Sequence, residues 1–245
     1  MKNRILVLLL AVVCLFSFAS CKKDTAASLY TGAMTSMEEM NAMDAKITIK
    51  MSAKMGDETE TEDIEMKIKS NGNNVYIESE ESKITYVDGV LYMNLGDDMK
   101  YKTEVSAEDF EKQYGGMSGS DFPELTEEKL KDVELTEDGD NRSFTVTLDA
   151  ATVKSFVDSM LGSMMGGDDS LDLDISGITM TATFDKDDNM TKLNMKMKVA
   201  YEIDGLDKAI EMDMDITFDF TVITTAPTIT APADAADYKD QNIFN

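Results

Sequence analysis

The sequence predicts a mainly β protein with a few helices, built on a large antiparallel sheet with one wet face and one dry face. Two observations carry this. Long segments alternate apolar and polar residues: Ala45, Ile47, Ile49, Met51, Ala53 and Met55 interleave with Lys46, Thr48, Lys50, Ser52 and Lys54. A strand with that period of two is buried on one side only. Two other segments, near residue 30 and after residue 149, carry apolar residues at helical spacing. Neither a linker nor a short-period repeat divides the chain, so residues 29–245 are expected to form a single domain.

The chain opens on Lys2 and Arg4, followed by twelve apolar residues from Ile5 to Phe16. That run is too short for a bilayer core, which needs about 20 residues, and it has the order of a secretory signal. Phe18-Ala19-Ser20-Cys21 closes it and resembles the lipobox of bacterial lipoproteins, with Phe18 where an aliphatic residue is usual. The resemblance implies a signal peptide at 1–20 and a diacylated, palmitate-bearing Cys21 on a short polar tether at 21–28. The membrane would then be a partner through the lipid anchor, with the rest of the chain on the extracytoplasmic face of the cell envelope. Cys14 leaves with the signal, so no disulfide is available.

The elements follow in order. Tyr30, Ala33, Met34, Met37 and Met40 form a helical stripe over about Leu29–Asn41. The strand at 45–55 comes next, and Ile64, Met66 and Ile68 continue in a second strand beyond an acidic loop. Asn71–Asn74 turns into strands near Val75–Ser79 and Ile84–Val87. Asp88-Gly89 is a two-residue hairpin signal leading to Val90–Asn94 and Lys100–Val105. Ser106 caps a short helix through Tyr114, and a Gly-rich loop (115–119), Pro123 and a turn begun by Thr126 follow. Val133–Thr136 and Arg142–Leu148 make a hairpin. Asp149 caps a helix over 149–165 whose apolar face is Val153, Phe156, Val157, Met160, Leu161 and Met164, and Gly166-Gly167 ends it. Ile178–Phe184, Leu193–Ile203 and Ile210–Val222 alternate strictly. Pairing Ile203 with Ile210 across a six-residue loop places Val199 opposite Met214 and Lys198 opposite Asp215. The Pro- and Ala-rich tail from Thr224 is expected along a sheet edge.

About ten strands at about 4.8 Å make a sheet roughly 48 Å wide, more than a few helices of about 10 Å each can cover. Either the sheet curls over its helices or an apolar gap remains. Inward strand positions carry Met51, Met55, Met66, Met180, Met195, Met197, Met212 and Met214. Methionine is not a favoured strand residue, and its flexible thioether suits a surface that re-packs around varied ligands. Filling of an ordinary core fits the same residues.

Element order and pattern over residues 29 to 222 resemble the half-barrel lipoprotein carriers, the superfamily of the periplasmic lipoprotein-sorting carrier and the mycobacterial lipid-binding lipoproteins. The resemblance implies a curved sheet cradling acyl chains beneath helices that cover its concave face. The candidate ligand-lining residues, taken from alternation, are Met51, Met66, Met180, Met195, Met197, Met212 and Met214, with Phe156 and Met160 from the helix. That helix and the loop at 115–119 would form a gate hinged at Gly166-Gly167. The rival reading is a structural or regulatory envelope lipoprotein that acts through protein or cell-wall contacts and has no ligand cavity.

Composition narrows the chemistry. A net charge of −25 opposes nucleic-acid binding, which needs Lys and Arg on phosphates, and keeps the chain soluble as an expected monomer. The absence of His removes Ser-His-Asp triads and imidazole metal sites. Asp185, Asp187 and Asn189 imitate the opening of a calcium loop, but Met190 stands where Gly is needed and Lys196 where Glu should be; a strand-connecting turn is the better reading. No catalytic set, metal site or cofactor motif emerges, and the chain is expected not to be an enzyme.

Overall fold

The computed structural model describes residues 24–55, 58–72, 74–96, 99–110, 122–154, 156–157, 173–201 and 210–241. Its strands are β1 (Ala42–Met55), β2 (Glu58–Asn71), β3 (Asn74–Ser79), β4 (Lys83–Val87), β5 (Val90–Asn94), β6 (Lys100–Glu104), β7 (Thr136–Asp138), β8 (Asn141–Leu148), β9 (Leu173–Phe184), β10 (Met190–Tyr201), β11 (Ile210–Phe220) and β12 (Lys239–Asp240). They join one open, curved sheet in the order β12-β6-β5-β4-β3-β2-β1-β11-β10-β9-β8-β7. All neighbours are antiparallel except β12, which runs parallel to β6.

The order contains two meanders. One runs outward from the centre, β1 to β6; the other returns inward, β7 to β11, and the two meet where β1 pairs with β11. Residues 105–135 must therefore carry the chain from one side of the sheet to the opposite edge. The described residues of this crossover lie on the buried face: Val105, Phe110, Phe122, Leu125 and Leu130 belong to the same core cluster as Ile47, Ile49 and Ile216.

Helix α1 (Ala26–Met40) packs on the same face through Ala26, Leu29, Tyr30 and Ala33. Its start is fixed by a capping box, Thr25 accepting from the Ser28 amide and Ser28 accepting from the Thr25 amide. Its end is fixed by Asn41 in the left-handed region, φ 46°, a conformation Asn tolerates better than most residues. A short helix α2 (Glu127–Leu130) sits in the crossover. Residues 107–110, 150–154 and 156–157 are also helical, capped as expected by Ser106 and Asp149, whose side chains accept from the Asp109 and Thr152 amides. The remainder of the helix expected over 149–165 lies outside the described residues.

The tail takes the other face. Tyr238 packs edge-on against Tyr92, ring centroids 5.5 Å apart, and Tyr92 points away from its buried strand neighbours Leu91 and Met93. Ile229, Tyr238 and Val87 are buried but lie outside the main core cluster. Asn71 donates from its side chain to the Pro227 carbonyl. The tail is thus a strap over the convex face, ending as β12 at the sheet edge.

Four details differ from the sequence reading. The β10–β11 register is shifted by two residues: Tyr201 faces Ile210, Val199 faces Met212 and Met197 faces Met214. A two-residue slip keeps every side chain on its own face, so alternation could not decide it. The observed register opposes Lys192 to Asp219, Lys196 to Asp215 and Lys198 to Asp213, three unlike-charge pairs where the expected one gave a single pair. Strand β2 starts at Glu58, so the acidic loop is a strand, paired with Lys50–Met55. Strand β9 starts at Leu173, and its alternation breaks at Gly177, φ 61°, beside a register shift against β10. Val133 and Leu135 precede β7 and are not in a strand.

Candidate functional site

One open cavity of about 1170 Å³ lies between α1, the crossover and the end of the sheet where β1 begins and β2 ends. It exceeds the about 300–1,000 Å³ typical of small-molecule pockets. Its floor is apolar and buried: Tyr30 from α1, Met43 from β1, Val75 from β3, Tyr86 from β4, and Phe110 and Phe122 from the crossover. Its rim is polar and exposed: Thr31, Thr35 and Glu38 along α1, with Glu124, Thr126, Glu127 and Lys129 opposite. Met34 and Met37 stand half-buried between floor and rim.

Two phenols hold the crossover over this floor. Tyr30 donates to the Pro123 carbonyl at 2.7 Å, and burial pushes its hydroxyl far above the ordinary phenol range. Tyr86 donates to the Val105 carbonyl at 3.2 Å and stacks on Phe110, centroids 4.1 Å apart; its hydroxyl is likewise raised by burial. Phe122 meets Phe218 edge-on at 5.0 Å and also contacts Phe156 and Phe220. The crossover is therefore anchored at both described stretches, and the space between its anchors and α1 stays open. Near the rim, Lys129 bonds the Thr152 hydroxyl and lies 3.5 Å from the Asp149 carboxylate. That carboxylate is held below its usual range, first by the Thr152 hydroxyl. Lys129 is thus committed to the start of the helix at 150.

The residues singled out from sequence lie elsewhere. Met180, Met195, Met197, Met214 and Phe156 are packed in the core at 0–2 % exposure. Met51, Met66 and Met212 are partly buried against that core, Met51 and Met212 toward the other end of the sheet and Met66 opposite Ile47 in its middle. None of these eight lines the cavity. Met160, Cys21, the loop at 115–119 and Gly166-Gly167 lie outside the described residues. The helix expected to gate the cavity does reach it, through Ala151 and Thr152.

Alternation could not find the cavity, because most of its rim and half its floor come from α1 and the crossover. The α1 stripe of Tyr30, Met34 and Met37 was the available signal; Phe122, Pro123 and Leu125 follow no period.

Among the described residues no group of His, Cys, Asp or Glu side chains is placed to hold a metal. Asp185 accepts from the Asp187 and Asn189 amides and from the Asn189 side chain, which makes Asp185–Asn189 the β9–β10 turn. Burial raises the Asp185 carboxyl, and the hydrogen bonds from Asn189 and Asp187 together bring it below its usual range. No helix among the described residues is long and apolar enough to cross a membrane.

The profile of DUF6612, a family of unknown function, matches residues 25–240, from the cap of α1 through β12. The chain belongs to this family. In DUF6612 terms the matched region holds the whole sheet, both faces of its packing and every described residue of the cavity. Solved structures similar to the chain include the ywiB protein from Bacillus subtilis, 8 % identical over 74 % of this chain and 94 % of that one, TM-score 0.22. A LolA superfamily protein, NE2245 from Nitrosomonas europaea, is 11 % identical over 82 % and 95 %, TM-score 0.26. A DUF1329 family protein from Desulfovibrio piger is 12 % identical over 82 % and 95 %, TM-score 0.28. No curated protein matches the chain.

Proposed function

We propose that this DUF6612 protein is a membrane-anchored extracytoplasmic lipoprotein that binds a lipid or other hydrophobic ligand, without catalysis, between its curved sheet and the helices covering it. The observation that carries the binding is the open cavity, with an apolar floor and a polar rim. Each ligand CH₂ removed from water there contributes about 0.8 kcal/mol, so an acyl chain supplies its own driving force. The anchor rests on the apolar run 5–16 and Cys21.

The test uses the full chain carrying Cys21→Ser, so that any bound lipid is non-covalent. Native mass spectrometry should show co-purifying mass that organic extraction removes. A clean mass that stays unchanged after incubation with membrane lipids sinks the binding reading. Metabolic labelling with palmitate should mark the wild-type chain and leave Cys21→Ser unmarked; equal labelling removes the anchor.

A structural or regulatory lipoprotein is the second reading. It is favoured by the tight packing of Met180, Met195, Met197 and Met214, which fill a core like any other apolar side chains.

A further inference from the structure

The walls of the cavity fix a hydrophobic ligand, and its rim bears on the other end of that ligand. This inference rests on the binding reading above and deepens it. Glu38 stands on α1, and Glu124 and Glu127 stand across from it on the crossover, all three exposed at the rim. Among the described residues none of them is in an ion pair, and the lining carries a single cation, Lys129. Lys129 is already bonded to Thr152 and lies beside Asp149. A ligand whose tail lies on Tyr86, Phe110 and Phe122 therefore brings its polar end among three carboxylates that are unpaired and, among the described residues, meets no free ammonium. An anionic head there meets like charge from both sides of the opening. A cationic head meets complementary charge, with the Thr31, Thr35 and Thr126 hydroxyls alongside.

We infer that the cavity selects amphiphiles by head charge: it prefers a hydrocarbon chain ending in an ammonium group over the same chain ending in a carboxylate. Selection is local, because charges interact strongly within a Debye length of about 10 Å and weakly beyond it. The chain's overall negative charge also attracts cations, so the test must separate rim from bulk. The β1–β2 hairpin supplies the control: Glu58, Glu60 and Glu62 are exposed carboxylates on β2, away from the cavity.

The experiment measures binding of dodecyltrimethylammonium and of dodecanoate, both below micelle formation, to the Cys21→Ser full chain by calorimetry. The expected result is about tenfold tighter binding of the cation, a ratio that shrinks at high salt. Glu38→Gln, Glu124→Gln and Glu127→Gln combined should bring the two affinities together. Glu58→Gln, Glu60→Gln and Glu62→Gln combined change net charge equally and should leave the ratio near the wild-type value. Equal affinities, a preference for dodecanoate, or the same loss of ratio in both triple variants overturns selection by the rim while leaving the cavity reading intact. Binding of neither probe overturns the cavity reading, and selection with it.

Discussion

Tyr30→Phe removes one oxygen from the joint between α1 and the crossover, and its effect should depend on pH. The Tyr30 hydroxyl donates to the Pro123 carbonyl at 2.7 Å, with the residue 2 % exposed and its ring edge-on to Phe144 at 6.2 Å. The ring contact survives in the variant. The hydrogen bond does not, and the Pro123 carbonyl is left without that donor. A neutral hydrogen bond contributes about 0.5–1.5 kcal/mol and an orphaned buried acceptor costs about 1–3 kcal/mol, so a loss of roughly 1–3 kcal/mol is expected at pH 7. Burial raises the Tyr30 pKa above its unfolded value of about 10. Above about pH 10 the unfolded chain releases a proton that the folded chain retains, and wild-type stability falls as pH rises. One unit above, the fall is about 1.4 kcal/mol for this group. The variant has no such proton, so its deficit should shrink by about that amount between pH 7 and pH 11. The other tyrosines titrate in both proteins and cancel. Urea unfolding followed by circular dichroism at the two pH values measures this. A deficit identical at both pH values refutes the buried phenol, and one below about 0.3 kcal/mol at pH 7 refutes the hydrogen bond's role.

Phe122→Ala should cost about 3–5 kcal/mol in urea unfolding, because the ring meets Phe156, Phe218 and Phe220 at once; a cost under about 1 kcal/mol would mean the crossover is not anchored there. The convex-face strap should loosen in acid before the sheet does. Lys100 bonds Asp234 at 2.5 Å, and that bond is the leading cause holding the Asp234 carboxyl below its usual range. A depressed carboxyl contributes above its unfolded pKa and loses that contribution as pH falls through the folded value. Hydrogen exchange, corrected for its intrinsic pH dependence, should therefore show protection of 227–240 falling at about pH 3 relative to pH 7, with β9–β11 unchanged. Equal loss in both regions would show that the strap is no separate unit.

Much of the sheet could be read from period alone, because a half-buried strand writes its faces into its sequence. That holds for β1, β10 and β11, whose inward residues are buried over most of their length. It fails where both faces are wet: Glu58 to Asp63 form a strand with no apolar side to announce it. It also fails where a choice preserves the faces, as in the two-residue shift of β10 on β11, which charge pairing separates and hydrophobicity cannot. The helical stripe of α1 was legible, although its use as a cavity wall was not. That wall exists only because a curved sheet brings the crossover opposite α1, a long-range fact with no local signature. The methionines were legible as inward-facing, but inward positions serve two ends: Met180, Met195, Met197 and Met214 are packed in the core, while Met43 lines the cavity.

The meeting of two meanders at β1 and β11 also sets a timetable. Ala45 pairs with Phe220 and Met51 with Met214, so the central seam joins segments from opposite ends of the chain. Contacts of such separation form late and slow folding. Until β11 arrives, β1 is a fourteen-residue edge with an unpaired row of backbone donors and acceptors, open to any passing strand. Lys46, Lys50 and Lys54 punctuate that edge. Once the seam closes, they stand opposite Asp219, Asp215 and Glu211. The same lysines thus repel strangers while the strand is bare and welcome the acidic partner when it comes.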